Sequence, residues 1–332
     1  MKELIQKLVE TTGPSGYENA VRALVRAEVE SLADDVRVDA LGNLIVRKGE
    51  KKDGGLRVML SAHMDEIGII ATHIDERGFV RFTSVGGLYP NMLLGSRVRF
   101  LNGQPGVIGG EKLDAGERLH PMEKLFIDVG ATSREDCPVQ VGDMAIFDRP
   151  FVDLGDRLVS KAMDDRVAVA ILIETLRQLK DTPNEVYFVF STQEEVGPRG
   201  AGTAAYGIDP ELGVAVDVTR SGDTPRGVRM ATCLGGGPAI KVRDSGMLAD
   251  PRVVRWMEAG AKKHEIPYQM EVLEAGSTDA MVIQVARAGV PSGCVSIPCR
   301  YIHSPSEMVD YRDVQNAVRL LVALLSEPIE LK

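Results

Sequence analysis

The chain has 332 residues, with 39 lysines and arginines against 48 aspartates and glutamates, and therefore a formal net charge of -9. An acidic surplus repels phosphate groups, which argues against nucleic acid and anionic membranes as partners. At about 150 residues per domain, the length predicts about two domains.

The N-terminal part of the chain predicts helices that lead into short strands. Residues 1–10 carry apolar side chains at helical spacing, and residues 17–33 predict a second amphipathic helix. Residues 56–62, LRVMLSA, have the composition of a buried strand. The N-terminus lacks the apolar core of a signal peptide, and no apolar run approaches the roughly 20 residues of a membrane helix. The four cysteines fit no disulfide framework, so a reduced, cytoplasmic protein is expected.

The pattern changes twice further along the chain. Residues 67–153 read as short strands separated by glycines, which favours a small β-barrel or sandwich. From residue 154 onward, strands alternate with helices, which predicts a mostly parallel sheet covered on both faces. The simplest organisation is one α/β domain, residues 1–66 plus 154–332, interrupted by a β-rich insert, residues 67–153.

Side chains able to bind metal ions lie at or just past the carboxyl ends of four apolar strands. They are His63 after LRVMLSA, Glu194 and Glu195 after EVYFVFSTQ, Asp217 after GVAV, and His303 after SGCVSIPCRY. Asp164 and Asp165 add two carboxylates where a buried helix begins. Because ligands of open α/β sheets bind at the carboxyl edge of the strands, we expect these residues to converge there.

The residue types indicate a dinuclear metal site. Histidine and carboxylates suit Zn²⁺, Co²⁺ and Mn²⁺, and the set exceeds what one tetrahedral zinc requires. The surplus suggests two metals that share a carboxylate. Asp65 follows His63 by two residues, so on an extended strand it would share the face of His63 and could orient the imidazole. Asp217 interrupts an apolar run, where an unpaired carboxylate is costly, and so needs a partner.

Each of these residues also has a purely structural interpretation. Asp164 could cap a helix, the two adjacent glutamates could lie in a solvated loop, and His303 could be an ordinary structural histidine. Their coincidence at one predicted sheet edge favours the metal site. The chain has no HExxH helix, no GxSxG elbow and no GxxxxGK[ST] phosphate loop.

Six segments in this order resemble the TET-type dinuclear metallo-aminopeptidases, a cytoplasmic family that includes glutamyl aminopeptidases and relatives called endoglucanase M. The segments are SAHMDEIG, SKAMDDRVA, STQEEVGPRGA, AVDVT, GSTDA and PCRYIHSPSEM. The resemblance spans nearly the whole chain. It implies a three-layer α/β/α zinc-peptidase domain of the phosphorylase/hydrolase-like type, with an inserted small β-barrel. One departure is Pro198, where the family pattern EEVGxRGA has an apolar residue other than proline.

Carried over by motif, the resemblance implies two divalent metal ions per subunit, zinc or cobalt, with manganese as a third option. His63 and Asp217 would bind one ion, Glu195 and His303 would bind the other, and Asp164 would bridge them. In relatives the bridging residue is the first aspartate of the pair, and a cis peptide often joins it to the second.

The resemblance also implies the reaction. Glu194 would be the general base, Asp65 would orient His63, and a hydroxide that bridges the metals would attack the N-terminal peptide bond of a short peptide with a free N-terminus. We expect the substrate side-chain pocket to draw on the GSTDA loop and on the residues before His303. The tentative substrate-binding residues are Ser277, Thr278, Asp279, Arg300 and Tyr301.

The family further implies a large homo-oligomer, commonly a dodecamer built from dimers through the insert, which would make residues 67–153 a dimerisation domain and suit peptide degradation. Alternatives stay open from the residues alone. One is a related metal-dependent amidase or deacylase acting on a non-peptide amide. An endoglucanase is less expected, because glycosidases use paired carboxyl groups and no dinuclear site. A non-catalytic scaffold of the same fold would be expected to lack at least one ligand.

Overall fold

The strands of the chain divide between one large sheet and one closed barrel. The computed structural model describes residues 1–332. The elements before the barrel are α1 (Lys2–Glu10), α2 (Asn19–Val29), β1 (Asp35–Val38), β2 (Leu44–Lys48) and β3 (Arg57–His63). The barrel strands are β4 (Gly68–Ile74), β5 (Val80–Val85), β6 (Arg97–Phe100), β7 (Pro105–Gly110), β8 (Leu125–Asp128) and β9 (Met144–Phe147).

The rest of the chain returns to the large sheet and its helices. These elements are β10 (Val152–Asp153), β11 (Arg157–Ser160), α3 (Met163–Gln178), β12 (Glu185–Ser191), α4 (Arg199–Ile208), β13 (Leu212–Arg220), β14 (Ala239–Arg243), α5 (Pro251–Lys263), β15 (Gln269–Val272), α6 (Ala280–Gln284), β16 (Ser292–Arg300), β17 (Glu307–Asp310) and α7 (Tyr311–Leu325). None of the helices has the length and apolarity needed to cross a membrane.

The centre of the large sheet is parallel. The strand order is β1-β2-β12-β3-β13-β16-β17-β11-β10, with β14 and β15 branching from β16. Strand β3 lies parallel to β12 and β13, and β13 lies parallel to β16. The carboxyl ends of four neighbouring strands therefore meet at one edge, as the sequence predicts.

Both faces of this sheet are covered. Phe188 and Phe190 of β12 pack into the core formed with α1, α2, α3, α5 and α7, whereas Val189 packs on the opposite face with α4 and α6. Successive side chains of a strand point to opposite faces, so a run of large apolar residues buries both. Each buried side chain of this kind contributes about 1.5–3 kcal/mol relative to exposure. The arrangement confirms the predicted α/β/α layers.

The inserted strands form a closed barrel with its own core. The strand order is β4-β5-β8-β7-β6-β9, and the pairs are antiparallel. Phe82, Phe100, Ile127 and Phe147 are among the buried residues at its centre. Closure leaves no unpaired strand edge. The domain limits at residues 66/67 and 153/154 stay a prediction, and β10 pairs with β11 of the large sheet.

Candidate metal centre

His63 is the last residue of β3 and is buried, with 2% of its side chain exposed. Its Nδ1 donates to the backbone carbonyl of Asp65 at 3.0 Å, and its Nε2 lies 3.0 Å from Oδ1 of Asp164. A carbonyl can only accept, so Nδ1 carries a proton and Nε2 is the nitrogen that faces the carboxylates. Burial lowers the pKa of His63, but the contacts with Asp164 and Asp65 outweigh it and raise the pKa well above its usual range.

Asp164 lies between the two histidines at the start of α3. Its Oδ1 faces His63, and its Oδ2 lies 3.5 Å from Nε2 of His303. The Asp164–Asp165 peptide bond is cis. Each oxygen of one carboxylate is thus directed at a different histidine, which is the arrangement that a bridging ligand needs.

The loop after β12 brings two further glutamates to this edge. Oε2 of Glu195 lies 3.4 Å from Nε2 of His303, and Oε2 of Glu194 lies 4.0 Å from Nε2 of His63. Asp65 holds this loop, since its Oδ1 accepts the backbone N–H of Glu194 at 2.9 Å and its Oδ2 accepts that of Glu195 at 3.2 Å. Asp65 therefore connects the end of β3 to the loop after β12.

Asp217 and Asp165 complete the cluster around His63. Two sets of side chains have ligand atoms that all lie within 4.8 Å of one another: His63 with Asp164 and Glu195, and His63 with Asp165 and Asp217. Asp165 was not a predicted ligand. Its Oδ2 accepts the backbone N–H of His63 at 3.3 Å, which ties α3 to β3.

This concentration of buried carboxylates requires positive charge. Burial raises the pKa of Glu194, Glu195 and Asp217 well above the usual range, and neighbouring carboxylates raise it further. Burial also raises the pKa of Asp164, but hydrogen bonds with both histidines outweigh it, and the pKa is lowered overall. Like charges held in a low-dielectric site are costly unless cations pair with them.

The donor set fits divalent metal ions. Oε1 of Glu195 and Oδ1 of Asp165 are buried within the cluster and have no hydrogen-bond partner, so both oxygens are available to bind an ion. Imidazole nitrogen with several carboxylate oxygens suits zinc, cobalt and manganese. The residues brought together here are therefore able to hold such ions.

A cavity of about 270 Å³ opens over the cluster. His63, Asp164, Glu194, Glu195, Asp217 and His303 all line it. The remaining lining residues come from three loops and the end of β13: Gly197, Pro198, Val218, Thr219, Arg220, Leu273, Ala275, Gly276, Ser277 and Ile302. Pro198, the one departure from the family pattern, thus lies at the cavity wall.

Of the five predicted substrate residues, only Ser277 reaches this cavity. Thr278 and Asp279 are buried beneath it, and Oδ2 of Asp279 accepts the hydroxyls of Ser61 and Ser191 at 2.6 Å. These bonds join the substrate-side loop to the strands that carry the ligands.

The other two predicted substrate residues also lie away from the cavity. The guanidinium of Arg300 pairs with Asp223 at 2.7 and 2.9 Å, and Tyr301 is turned outward, with 50% of its surface exposed. Their substrate-binding role stays a prediction that no cavity contact supports.

Two buried glutamates that the sequence did not single out support the centre. Glu307 accepts the backbone N–H of His303 at 2.8 Å and that of Asp164 at 2.9 Å. Glu66 accepts the backbone N–H of Gly13 at 3.0 Å and pairs with Lys161 at 2.7 Å. The only sequence signal for Glu307 is an acid four residues after His303.

Comparisons with known proteins point to one family. Residues 42–320 match the model of the M42 glutamyl aminopeptidase family. The chain is 38% identical to the lysyl aminopeptidase of Pyrococcus furiosus over 341 residues, which cover 98% of this chain and 96% of the relative.

Solved structures of two peptidases have a similar fold. An aminopeptidase from the archaeon Desulfurococcus kamchatkensis has a TM-score of 0.93 at 42% identity, and the match covers 98% of this chain and 94% of that one. The TET1 peptidase of Pyrococcus horikoshii, which can assemble into a tetrahedron or a large octahedral shell, has a TM-score of 0.87 at 33% identity, over 98% of this chain and 99% of that one.

Proposed function

Because the chain belongs to the M42 glutamyl aminopeptidase family of metal-dependent aminopeptidases, we propose that it uses two divalent cations to remove N-terminal residues from short peptides. The observation that carries this proposal is the carboxylate of Asp164, whose two oxygens face two different histidines. No observation on the chain favours an amidase, a glycosidase or a scaffold over the aminopeptidase.

The ligand assignment follows the two histidines. His63 and Asp217 would hold one ion, Glu195 and His303 would hold the other, and Asp164 would bridge them. Oε1 of Glu195 makes no hydrogen bond within the protein, so it is available to a cation, which is compatible with its part in this set. Zinc or cobalt is the expected metal, with manganese as a third option.

When bound, the two cations would polarise the scissile carbonyl and make an attacking water more acidic. Glu194 would accept the proton of that water and pass it to the leaving amine. Burial raises the pKa of Glu194, and neighbouring carboxylates raise it further, which is the direction that favours a group able to accept a proton and release it again. Asp65 would hold Glu194 in place through the backbone N–H.

The cavity supports a preference for a free N-terminus. The free α-amine of a substrate would lie beside one of the ions held by Asp164, Glu195 and Asp217, and its nitrogen suits such an ion as a further ligand. The amide nitrogen of an acylated N-terminus does not. We also propose that the barrel, residues 67–153, mediates dimerisation and assembly into a large homo-oligomer, with a dodecamer as the expected size.

The experiment is to strip the purified protein with a chelator, restore it with zinc or cobalt, and measure metal content and hydrolysis together. We expect two ions per chain, hydrolysis of aminoacyl-p-nitroanilides and free peptides, and little hydrolysis of the N-acetylated peptide or of carboxymethylcellulose. Equal rates on free and acetylated peptides would contradict exopeptidase action. A panel of N-terminal residues would give the side-chain preference, and light scattering would give the subunit number.

A further inference from the structure

A segment of the inserted barrel reaches the metal centre of the other domain. This barrel segment, residues 86–89, follows β5 and runs beside the loops that carry Glu195 and His303. A Cβ atom built on Gly87 would lie 2.7 Å from Nδ1 of His303, and one built on Gly86 would lie 2.9 Å from Oε2 of Glu195. Because real Cβ contacts are not this short, only glycine allows the barrel backbone to approach these side chains so closely.

The two histidines are oriented in different ways. The ring of His63 is fixed by the hydrogen bond from Nδ1 to the carbonyl of Asp65. The ring of His303 makes contacts through Nε2, and its Nδ1 has no hydrogen-bond partner in the protein. Metal-binding histidines are usually held through the second ring nitrogen. For His303 that side of the ring faces Gly87, where a Cβ atom would lie within 3.0 Å of the ring.

The barrel segment is also fastened to the sheet that carries the ligands. The guanidinium of Arg220, the last residue of β13, donates to the hydroxyl of Tyr89. Arg220 follows Asp217 by three residues and lines the same cavity. Tyr89 therefore connects the barrel segment to the strand of one proposed ligand, while the two glycines contact two others.

We propose that the barrel segment positions Glu195 and His303 for metal binding, so that Gly86, Gly87 and Tyr89 are positioning residues of the catalytic centre. This inference rests on the proposed function, because it takes Glu195 and His303 as ligands of one ion. The large domain alone would then hold the ion of His63 and Asp217 while leaving the ring of His303 free to rotate.

The test is Gly87→Ala. The backbone of Gly87 is outside the left-handed region, so alanine is allowed there by conformation, and its only conflict is with the ring of His303. We expect the affinity for one of the two ions to fall about 10–100-fold, as for loss of a partner that orients a ligand. The other ion should bind as before. Stepwise cobalt titration of the metal-free protein measures both.

The matched control is Gly207→Ala, which places a Cβ in open space in α4, also outside the left-handed region. It should bind both ions like the wild type. A second variant guards against misfolding of Gly87→Ala: when the same change is made in the His303→Ala background, the ring is gone and the added methyl group should cause no further loss of unfolding temperature in the metal-free protein.

The outcomes are distinguishable. If Gly87→Ala binds both ions with wild-type affinity, or if it lowers the unfolding temperature of the metal-free protein as much without the ring of His303 as with it, the barrel segment does not position that ring. If His303→Ala itself keeps both ions at full affinity, the ligand assignment of the proposed function is wrong instead. Tyr89→Phe should weaken binding of the same ion by less than Gly87→Ala, and a larger effect on the other ion would overturn the inference.

Discussion

The two halves of the metal centre are built from different kinds of secondary structure. The half around His63 belongs to the parallel sheet: His63 ends β3, Asp217 lies within β13, and 2% of the histidine side chain is exposed. The half around His303 belongs to loops: Glu195 follows β12, His303 follows β16, and 29% of that histidine side chain is exposed. One half is positioned by strands, and the other is positioned by side chains that hold its loops, with the barrel segment beside them.

The backbone conformation of the loop half also depends on its surroundings. His303 has φ +61°, and Tyr301, two residues earlier, has the same value. Left-handed conformations of residues other than glycine cost about 1–3 kcal/mol and persist where the surroundings enforce them. Glu307 holds this conformation by accepting the N–H of His303, and Gly87 lies so near the ring that a Cβ atom there would have no room. The loop half is therefore the one whose geometry depends on its neighbours.

The largest expected effect comes from a substitution that acts on both halves at once. Asp164→Ala removes the carboxylate that faces both histidines, so we expect both ions to be lost and turnover to fall to background. Metal analysis and hydrolysis of an aminoacyl-p-nitroanilide on the same sample would check this. Retention of two ions per chain would refute the bridging role and direct attention to Asp165.

A substitution with a smaller expected effect should distinguish catalysis from metal binding. Glu194→Gln keeps the shape of the side chain but removes the base, so turnover should fall about 10²–10⁴-fold. Metal content should stay near that of the wild type, since Glu195 is the proposed ligand. Loss of an ion, with turnover per bound metal unchanged, would mean that the two adjacent glutamates have exchanged roles.

The smallest expected effects should fall on the loop half. Asp65→Asn and Glu307→Gln each replace an oxygen that accepts backbone N–H groups by an amide group that donates. We expect metal affinity to fall about 10–100-fold in each. Both should act mainly on the ion of His303, because Asp65 holds the backbone of Glu195 and Glu307 holds that of His303. Calorimetric titration that finds the ion of His63 weakened more than the ion of His303 would show that these contacts do not serve the loop half.

The sequence predicts the strand half of the centre better than the loop half. Apolar strands followed by His63 and Asp217 are enough, because the carboxyl ends of parallel strands meet by topology. The barrel is predicted as a β-rich insert, but its closure depends on β4 pairing with β9, more than 70 positions along the chain. The contact of Gly87 with His303 has no local signal, since it depends on how two domains meet.

The junction between the insert and the large domain limits how the sequence of such proteins can change. The chain leaves the large sheet after β3 through residues 63–66, and it rejoins that sheet at β10 and β11, which lead directly into residues 161–164. Glu66 pairs with Lys161 between these two segments, which carry the proposed metal ligands His63 and Asp164. Exchange of the barrel for another module would have to preserve this junction, because loss of one partner of a buried ion pair costs about 3–5 kcal/mol. The barrel can therefore vary in sequence at the end away from the large domain, but its sequence is constrained where it joins that domain.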